Sequence, residues 1–158
     1  MNQVVVKQEK SGYQIVEAYK SLRTNLQFCG EDKKVIAITS CTPNEGKSSV
    51  SMQLGISLAE IGKRVILIDA DLRKSVLLGR TKTEKSVRGL AHFLSGQASL
   101  EDVICATNIK NFYMIYSGPF PPNPAELLGG KNFRSLLNAL RKVYDLYLIH
   151  ISEPTRQA

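Results

Sequence analysis

The fold of this chain is predicted most clearly by one stretch of its sequence, Val35-Ile36-Ala37-Ile38-Thr39-Ser40-Cys41-Thr42-Pro43-Asn44-Glu45-Gly46-Lys47-Ser48. Its first half is rich in β-branched residues and has the length of a buried strand. From Ser48 to Ile61 apolar residues recur at helical spacing, and Gly62 follows as a helix stop signal. The stretch therefore predicts a strand, a short loop and a helix in direct succession.

The loop between that strand and that helix carries the phosphate-binding pattern Gly-x-x-x-x-Gly-Lys-Ser/Thr, with a cysteine in place of the first glycine. Gly46 lets the backbone approach an oxygen-rich ligand, and the amides of the loop and the positive helix end bind phosphate. Lys47 is expected to reach the β- and γ-phosphates, while Ser48 ligates Mg²⁺ and Ser49 donates to the α-phosphate. We therefore expect ATP and Mg²⁺ as cofactors, with the nucleotide held by Asn44, Glu45, Gly46, Lys47, Ser48 and Ser49.

Two carboxylates follow the next strand, at Asp69 and Asp71. Side chains two residues apart in an extended segment share a face, and ligands of open α/β sheets bind at the carboxyl ends of the strands. One carboxylate could hold the metal and the other could accept a proton from an incoming hydroxyl. The candidate catalytic residues are thus Lys47, Asp69 and Asp71, and the candidate metal ligands are Ser48 and Asp69.

The rest of the chain continues the alternation of strands and helices. Strands are expected at 64–69, 112–116 and 144–149, and helices at 13–28, 90–95, 125–128 and 132–143, with a capped turn from Ser99. Residues 1–12 lack clear periodicity, and 72–88 are expected to form a loop with short helical pieces. This order predicts an α/β fold, a mainly parallel sheet with helices on both faces.

Composition limits the class of protein. The chain has 158 residues, of which 43% are hydrophobic and 22% charged, as in one soluble globular domain. Its net charge of +7 would suit nucleic acid, anionic lipid or a phosphorylated ligand, but the basic residues are scattered along the sequence, as on an ordinary solvated surface. Three widely spaced cysteines indicate reduced thiols, and no apolar stretch suits a membrane span or secretory signal, so we expect a cytoplasmic protein.

A third motif, Pro121-Pro122-Asn123-Pro124-Ala125-Glu126-Leu127-Leu128, occurs together with the phosphate loop and the Asp-Ala-Asp-Leu-Arg strand end. With these three motifs, residues 13–149 resemble the bacterial tyrosine kinases of capsular and exopolysaccharide biosynthesis, in which the first two motifs are called Walker A and Walker A′. The resemblance implies a P-loop NTPase fold. It also implies an ATP-dependent, autophosphorylating protein-tyrosine kinase that regulates polysaccharide polymerisation and export.

The resemblance extends to the first helix. Family members carry Glu-x-x-Arg-x-x-Arg there, and this chain has Glu17, Lys20 and Arg23 at those positions. Lys20 keeps the charge of the arginine but loses its planar fork. The resemblance implies self-association in a ring through these three residues. It further implies protein tyrosine substrates and a membrane polysaccharide co-polymerase that activates the kinase and recruits it to the inner face of the cell membrane.

The family pattern is lost after Ile149. The Walker B motif should place an aspartate where this chain has His150, and an imidazole is a poor magnesium ligand. The segment 148–156, Leu-Ile-His-Ile-Ser-Glu-Pro-Thr-Arg, resembles the in-frame translation of a transposon-end sequencing adaptor. We therefore predict that residues 1–149 are a kinase domain truncated at its C-terminus, that 150–158 are a non-native tail, and that the fragment lacks one metal ligand.

Two other functions fit the motifs. A nucleotide-switched ATPase of the partitioning or septum-positioning type has the same loop, but usually with an additional early lysine that is missing here. A non-catalytic ATP-binding module fits the missing Walker B carboxylate.

Overall fold

A computed structural model of the chain describes residues 1–7, 12–30, 34–39, 47–72, 81–82 and 86–151. The strands are β1 (Asn2–Val6), β2 (Val35–Ile38), β3 (Val65–Asp69), β4 (Thr81–Lys82), β5 (Cys105–Thr107), β6 (Phe112–Ile115) and β7 (Leu146–His150). The helices are α1 (Tyr13–Phe28), α2 (Lys47–Glu60), α3 (Leu90–Leu94), α4 (Leu100–Val103), α5 (Pro124–Leu128) and α6 (Lys131–Arg141).

The strands form one sheet in the order β2-β7-β3-β6-β5-β1-β4. The pairs β2–β7, β7–β3 and β3–β6 are parallel, and β5 is antiparallel to β6. On the far side β1 runs parallel to β5, and β4 is antiparallel to β1. The four strands that the sequence predicts are the four of the parallel half, so that prediction is confirmed.

The sequence pattern predicts neither β1 nor β4. Residues 2–6 form β1, because Val4 and Val6 point into the core while Val5 faces out and the strand pairs with β5. The loop expected at 72–88 contains β4, whose Thr81 hydroxyl is hydrogen-bonded to the Tyr116 hydroxyl. Both strands are short, and their pairing partners are distant in sequence, so local periodicity does not reveal them.

The strand β3 lies at the centre of the parallel half, and all five of its residues are buried. Val65 and Leu67 face one core, whereas Ile66 and Ile68 face the other. The helix α2 covers the first face with α1 packed outside it, and α3, α4 and α6 cover the second. The prediction of helices on both faces is confirmed.

Helix α4 begins with the predicted cap. The Asp102 N–H donates to Ser99 Oγ over 3.3 Å, and the Ser99 N–H donates back to Asp102 Oδ2 over 3.1 Å. The hydrogen bond from the Ser99 backbone N–H to the Asp102 carboxylate, and after it the interaction of that carboxylate with the Ser99 side chain, lowers the pKa of Asp102.

The start of α3 lies against the chain that follows β6. The Leu90 N–H donates to the Tyr116 carbonyl over 2.6 Å, and the Ala91 N–H donates to the Ser117 carbonyl over 2.9 Å. This contact requires a glycine at position 89, because a Cβ there would lie 2.3 Å from the Gly118 nitrogen. The close approach fixes α3 beside the carboxyl end of the sheet.

We expect Gly89→Ala to lower the free energy of unfolding by about 1–3 kcal/mol, because the added methyl must displace backbone. The matched control is Gly12→Ala, where φ is −64° and a Cβ would meet nothing within 4 Å. That variant should stay within about 0.5 kcal/mol of the parent in urea unfolding. Equal stability of the two variants would contradict the contact.

Candidate functional site

The carboxyl ends of four parallel strands define one edge of the sheet. Asp69 ends β3, and it lies directly across from His150, the last residue of β7. His150 also pairs with Ile38, the last residue of β2. The register therefore brings three strand ends, and the residues that follow them, together at the edge where this type of sheet binds ligands.

The helix α2 has its N-terminus at this same edge. Leu58, near the end of α2, lines a cavity with Lys34, Lys63 and Leu146, which lie at or just before the amino ends of the strands. The helix therefore runs antiparallel to β2, β3 and β7. Its N-terminus, with N–H groups that have no carbonyl partner inside the helix and with the positive end of the helix dipole, lies beside the end of β3 and is suited to bind an anion.

Asp69 is completely buried at the end of β3. Its Oδ1 accepts the N–H of Asp71 over 3.1 Å, and the Nδ1 of His150 lies 3.7 Å from the same oxygen. The Ala70 N–H donates to the His150 carbonyl over 2.8 Å, which continues the ladder past the strand end. A buried carboxylate is stable only with such partners, so the position of Asp69 is fixed by the backbone around it.

The two candidate acidic residues differ in their surroundings. Asp71 is half-buried, whereas Asp69 is inaccessible to solvent. The backbone turn after β3 brings the Asp71 N–H onto the Asp69 side chain, which holds both residues at the same strand end. The expectation that both carboxylates lie at the carboxyl end of this strand is confirmed.

The predicted phosphate-binding residues are described only in part. Asn44, Glu45 and Gly46 lie outside the described residues. Lys47, Ser48 and Ser49 form the start of α2, so the loop leads into a helix as predicted. Their contacts with a nucleotide remain predictions.

The carboxylate oxygens of Asp69 and Asp71 are ligands of the kind that magnesium takes. Magnesium is usually held by one or two carboxylates together with phosphate oxygens and waters. Within the part of the chain that the structure describes, no three His, Cys, Asp or Glu residues cluster as a metal site, and the edge offers Asp69 and Asp71. These oxygens fit a cation that arrives with a phosphate ligand.

The three residues predicted to mediate self-association do not share one environment. Lys20 Nζ lies 3.7 Å from Glu17 Oε1, and both side chains are about half exposed. Arg23 instead lies against α2, where its Nη1 donates to the Ser57 carbonyl over 3.1 Å and lies 3.9 Å from Glu60 Oε2. Sequence reasoning missed Ser57 and Glu60, and no local signal in α2 marks them as partners of a distant arginine.

Comparison with known proteins identifies the family. A protein-family model described as an AAA domain matches residues 33–156. The chain belongs to the AAA domain family. The match spans the phosphate-binding stretch and all four strands of the parallel half.

The curated relatives of the chain are tyrosine-protein kinases. It is 42% identical to tyrosine-protein kinase CpsD of Streptococcus agalactiae over 133 residues, which cover 84% of this chain and 58% of the relative. It is 40% identical to tyrosine-protein kinase YwqD of Bacillus subtilis (strain 168), covering 84% of this chain and 56% of that protein. The chain thus spans somewhat more than half the length of these relatives.

Solved structures agree with these relatives. The BceF tyrosine kinase domain superposes with a TM-score of 0.77 at 41% identity, covering 87% of this chain and 55% of that one. The kinase domain of Escherichia coli tyrosine kinase ETK superposes with a TM-score of 0.79 at 36% identity, covering 87% of this chain and 54% of that one. The septum site-determining protein MinD of Pyrococcus horikoshii, complexed with Mg-ADP, superposes with a TM-score of 0.60 at 27% identity. The match covers 80% of this chain and 51% of that one. The P-loop NTPase fold and the resemblance to bacterial tyrosine kinases are confirmed.

Among the described residues, no helix combines the length and the apolar character needed to cross a membrane.

The contact between Asp69 and position 150 leads to a test of the edge's electrostatics. We expect His150→Asp to be less stable than His150→Asn at neutral pH, because two carboxylates this close repel each other when both are ionised. Protonation at low pH, or added Mg²⁺, should remove most of the difference. Thermal unfolding with and without Mg²⁺ measures this difference in stability. An equal shift of both variants on addition of Mg²⁺ would contradict the predicted metal position.

Proposed function

We propose that the chain is the ATP-binding part of an autophosphorylating protein-tyrosine kinase that regulates the polymerisation and export of capsular polysaccharide or exopolysaccharide. The observation that carries the proposal is the buried Asp69, held at a strand end beside the N-terminus of α2. A fixed carboxylate next to an anion-binding helix end is the arrangement that a magnesium nucleotide requires. The names of the relatives support the choice of kinase within this fold.

The proposed chemistry is mostly positioning and electrostatic stabilisation. Lys47 and the loop amides of Asn44, Glu45 and Gly46 neutralise charge on the transferring phosphoryl group. Ser48 and Asp69 would hold Mg²⁺, which would supply positive charge next to the phosphates, and Ser49 would bind the α-phosphate. Asp71, or Asp69 itself, accepts the proton of the tyrosine hydroxyl. Asp71 suits this task because it is half-buried and can meet a substrate.

The competing switch-ATPase function is not favoured. The two kinase domains superpose better, with TM-scores of 0.77 and 0.79 against 0.60 for MinD, and they are also more similar in sequence. The missing early lysine in the loop supports the same choice.

We also propose a domain boundary after residue 149. We take residues 1–149 as the kinase domain and 150–158 as a non-native tail, so that an aspartate is expected in the native protein where His150 stands. The register supports this, because position 150 lies directly across from Asp69, where a second carboxylate would share the metal. Sequencing of the source locus tests it: a native reading frame that encodes residues 150–158 would refute the boundary.

The partners are proposed from the same family. We place the protein in the cytoplasm, recruited to the inner membrane face by a membrane polysaccharide co-polymerase, and assembled in a ring through α1. The exposed pair Glu17 and Lys20 supports an external contact on this helix. Protein tyrosines are the substrates, and nucleic acid is not expected.

The direct test incubates the product of the complete gene with labelled Mg-ATP and the cytoplasmic tail of the co-polymerase. Label on tyrosine is the expected result. ATP hydrolysis without labelled tyrosine would favour the switch ATPase, and nucleotide binding without turnover would favour a non-catalytic module.

We expect Lys47→Met in the same protein to lower the rate of tyrosine phosphorylation by about a hundredfold or more, because the variant loses a charge aimed at the transferring phosphoryl group. Lys131→Met, at the exposed start of α6, is the matched control and should keep the parent rate. The rate of phosphotyrosine formation under single-turnover conditions is measured for both variants. Parent-like activity of Lys47→Met would show that the loop lysine does not act in phosphoryl transfer.

A further inference from the structure

The helix α1 is held to the rest of the chain by few apolar contacts. Leu26 packs against the core, but Ile15 is 52% exposed, Leu22 is 37% exposed and Phe28 is 84% exposed. The groove between α1 and α2 is lined mainly by polar residues and part-buried side chains. Polar contacts therefore matter more for the position of α1 than they do for the helices on the other face.

Arg23 makes the most buried of these polar contacts. Its side chain is only 16% exposed, and the Nη1 atom donates to the Ser57 carbonyl over 3.1 Å and to Ser57 Oγ over 3.4 Å. Glu60 Oε2 lies 3.9 Å away, with a side chain that is 61% exposed. One guanidinium thus contacts three acceptor atoms in the last turn of α2.

The Ser57 carbonyl is one of the four that a helix leaves without an internal partner at its C-terminus. The last turn of α2 tightens, so that the Ile61 N–H donates to Leu58 and the Gly62 N–H donates to Ala59. Arg23 therefore supplies the hydrogen bond that Ser57 would otherwise receive from Ile61. The positive charge of Arg23 is also attracted to the negative end of the helix dipole and to the nearby Glu60 carboxylate.

We propose that Arg23 is a positioning residue that acts within its own chain, capping the C-terminus of the phosphate-loop helix and coupling the position of α1 to nucleotide binding. The N-terminus of α2 carries Lys47, Ser48 and Ser49, so a shift of the whole helix moves the phosphate contacts. Glu17 and Lys20 remain as the α1 charges available to another molecule. The coupling to nucleotide rests on the proposed function, whereas the cap does not.

The experiment compares Arg23→Ala with Lys20→Ala in the full 158-residue chain, at concentrations low enough to keep it monomeric. Amide hydrogen exchange at residues 58–62 should be on the order of tenfold faster in Arg23→Ala, since a hydrogen bond from a charged donor stabilises its acceptor more than a neutral one does. The Kd for Mg-ATP should rise about threefold or more. Lys20→Ala should leave both quantities at the parent values.

Two further variants separate geometry from charge. Arg23→Lys keeps one donor and the charge, and should recover part of the slow exchange and part of the affinity. Glu60→Gln loses only an exposed ion pair, so exchange and affinity should change little. If Arg23→Ala does not fold, Arg23→Gln, which retains an N–H donor, replaces it in the comparison with Lys20→Ala.

The possible outcomes test the helix cap and the coupling to nucleotide binding separately. Unchanged exchange in Arg23→Ala, with loss of self-association in the complete protein, would show that Arg23 acts between subunits and would overturn the proposal. Faster exchange with an unchanged Kd would show that Arg23 only holds α1 against α2, and it would overturn the proposed coupling between α1 and nucleotide binding. A parent chain that does not bind Mg-ATP would refute the proposed function together with the coupling, while the exchange data would still decide the cap.

Discussion

The parallel pairing of β3 with β7 on one side and β6 on the other is the interaction on which the rest of the structure depends. Each residue of β3 is buried, and burial of a large aliphatic side chain contributes roughly 1.5–3 kcal/mol. Because side chains alternate along the strand, β3 contributes to both cores: Val65 and Leu67 pack in one, and Ile66 and Ile68 pack in the other. A shift of one residue in this pairing would exchange the two faces and move Asp69 away from the strand end.

The pairing also determines where the chemistry can occur. A parallel sheet places all of its strand ends at one edge, and the antiparallel direction of α2 places a helix N-terminus at that edge. A magnesium nucleotide also needs a carboxylate that does not move, and the buried surroundings of Asp69 provide one. Stability and the proposed activity therefore use the same strand, which is why the site lies at its last residue and not on a separate loop.

The parts of this arrangement that were predictable from the sequence are those with local signals. The strands of the parallel half are continuous apolar runs, and α2, α4 and α6 carry helical periodicity or caps, so their existence follows from short segments. The strand β1 could not be predicted, because three valines among polar residues become a strand only through pairing with β5. In α1 the apolar spacing predicts the helix but not its exposure, since Ile15 and Leu22 lie largely outside the core. The contact of Arg23 with Ser57 depends on how two helices pack, and sequence spacing says nothing about it.

We expect a magnesium nucleotide to bind between the N-terminus of α2 and the end of β3. The decisive measurement is a crystal structure of the chain with Mg²⁺ and a non-hydrolysable ATP analogue. The expected result is phosphate density against the backbone of residues 44–49, with the Mg²⁺ next to Asp69 directly or through one bound water. Nucleotide bound at any other part of the molecule, with no density between α2 and Asp69, would contradict it.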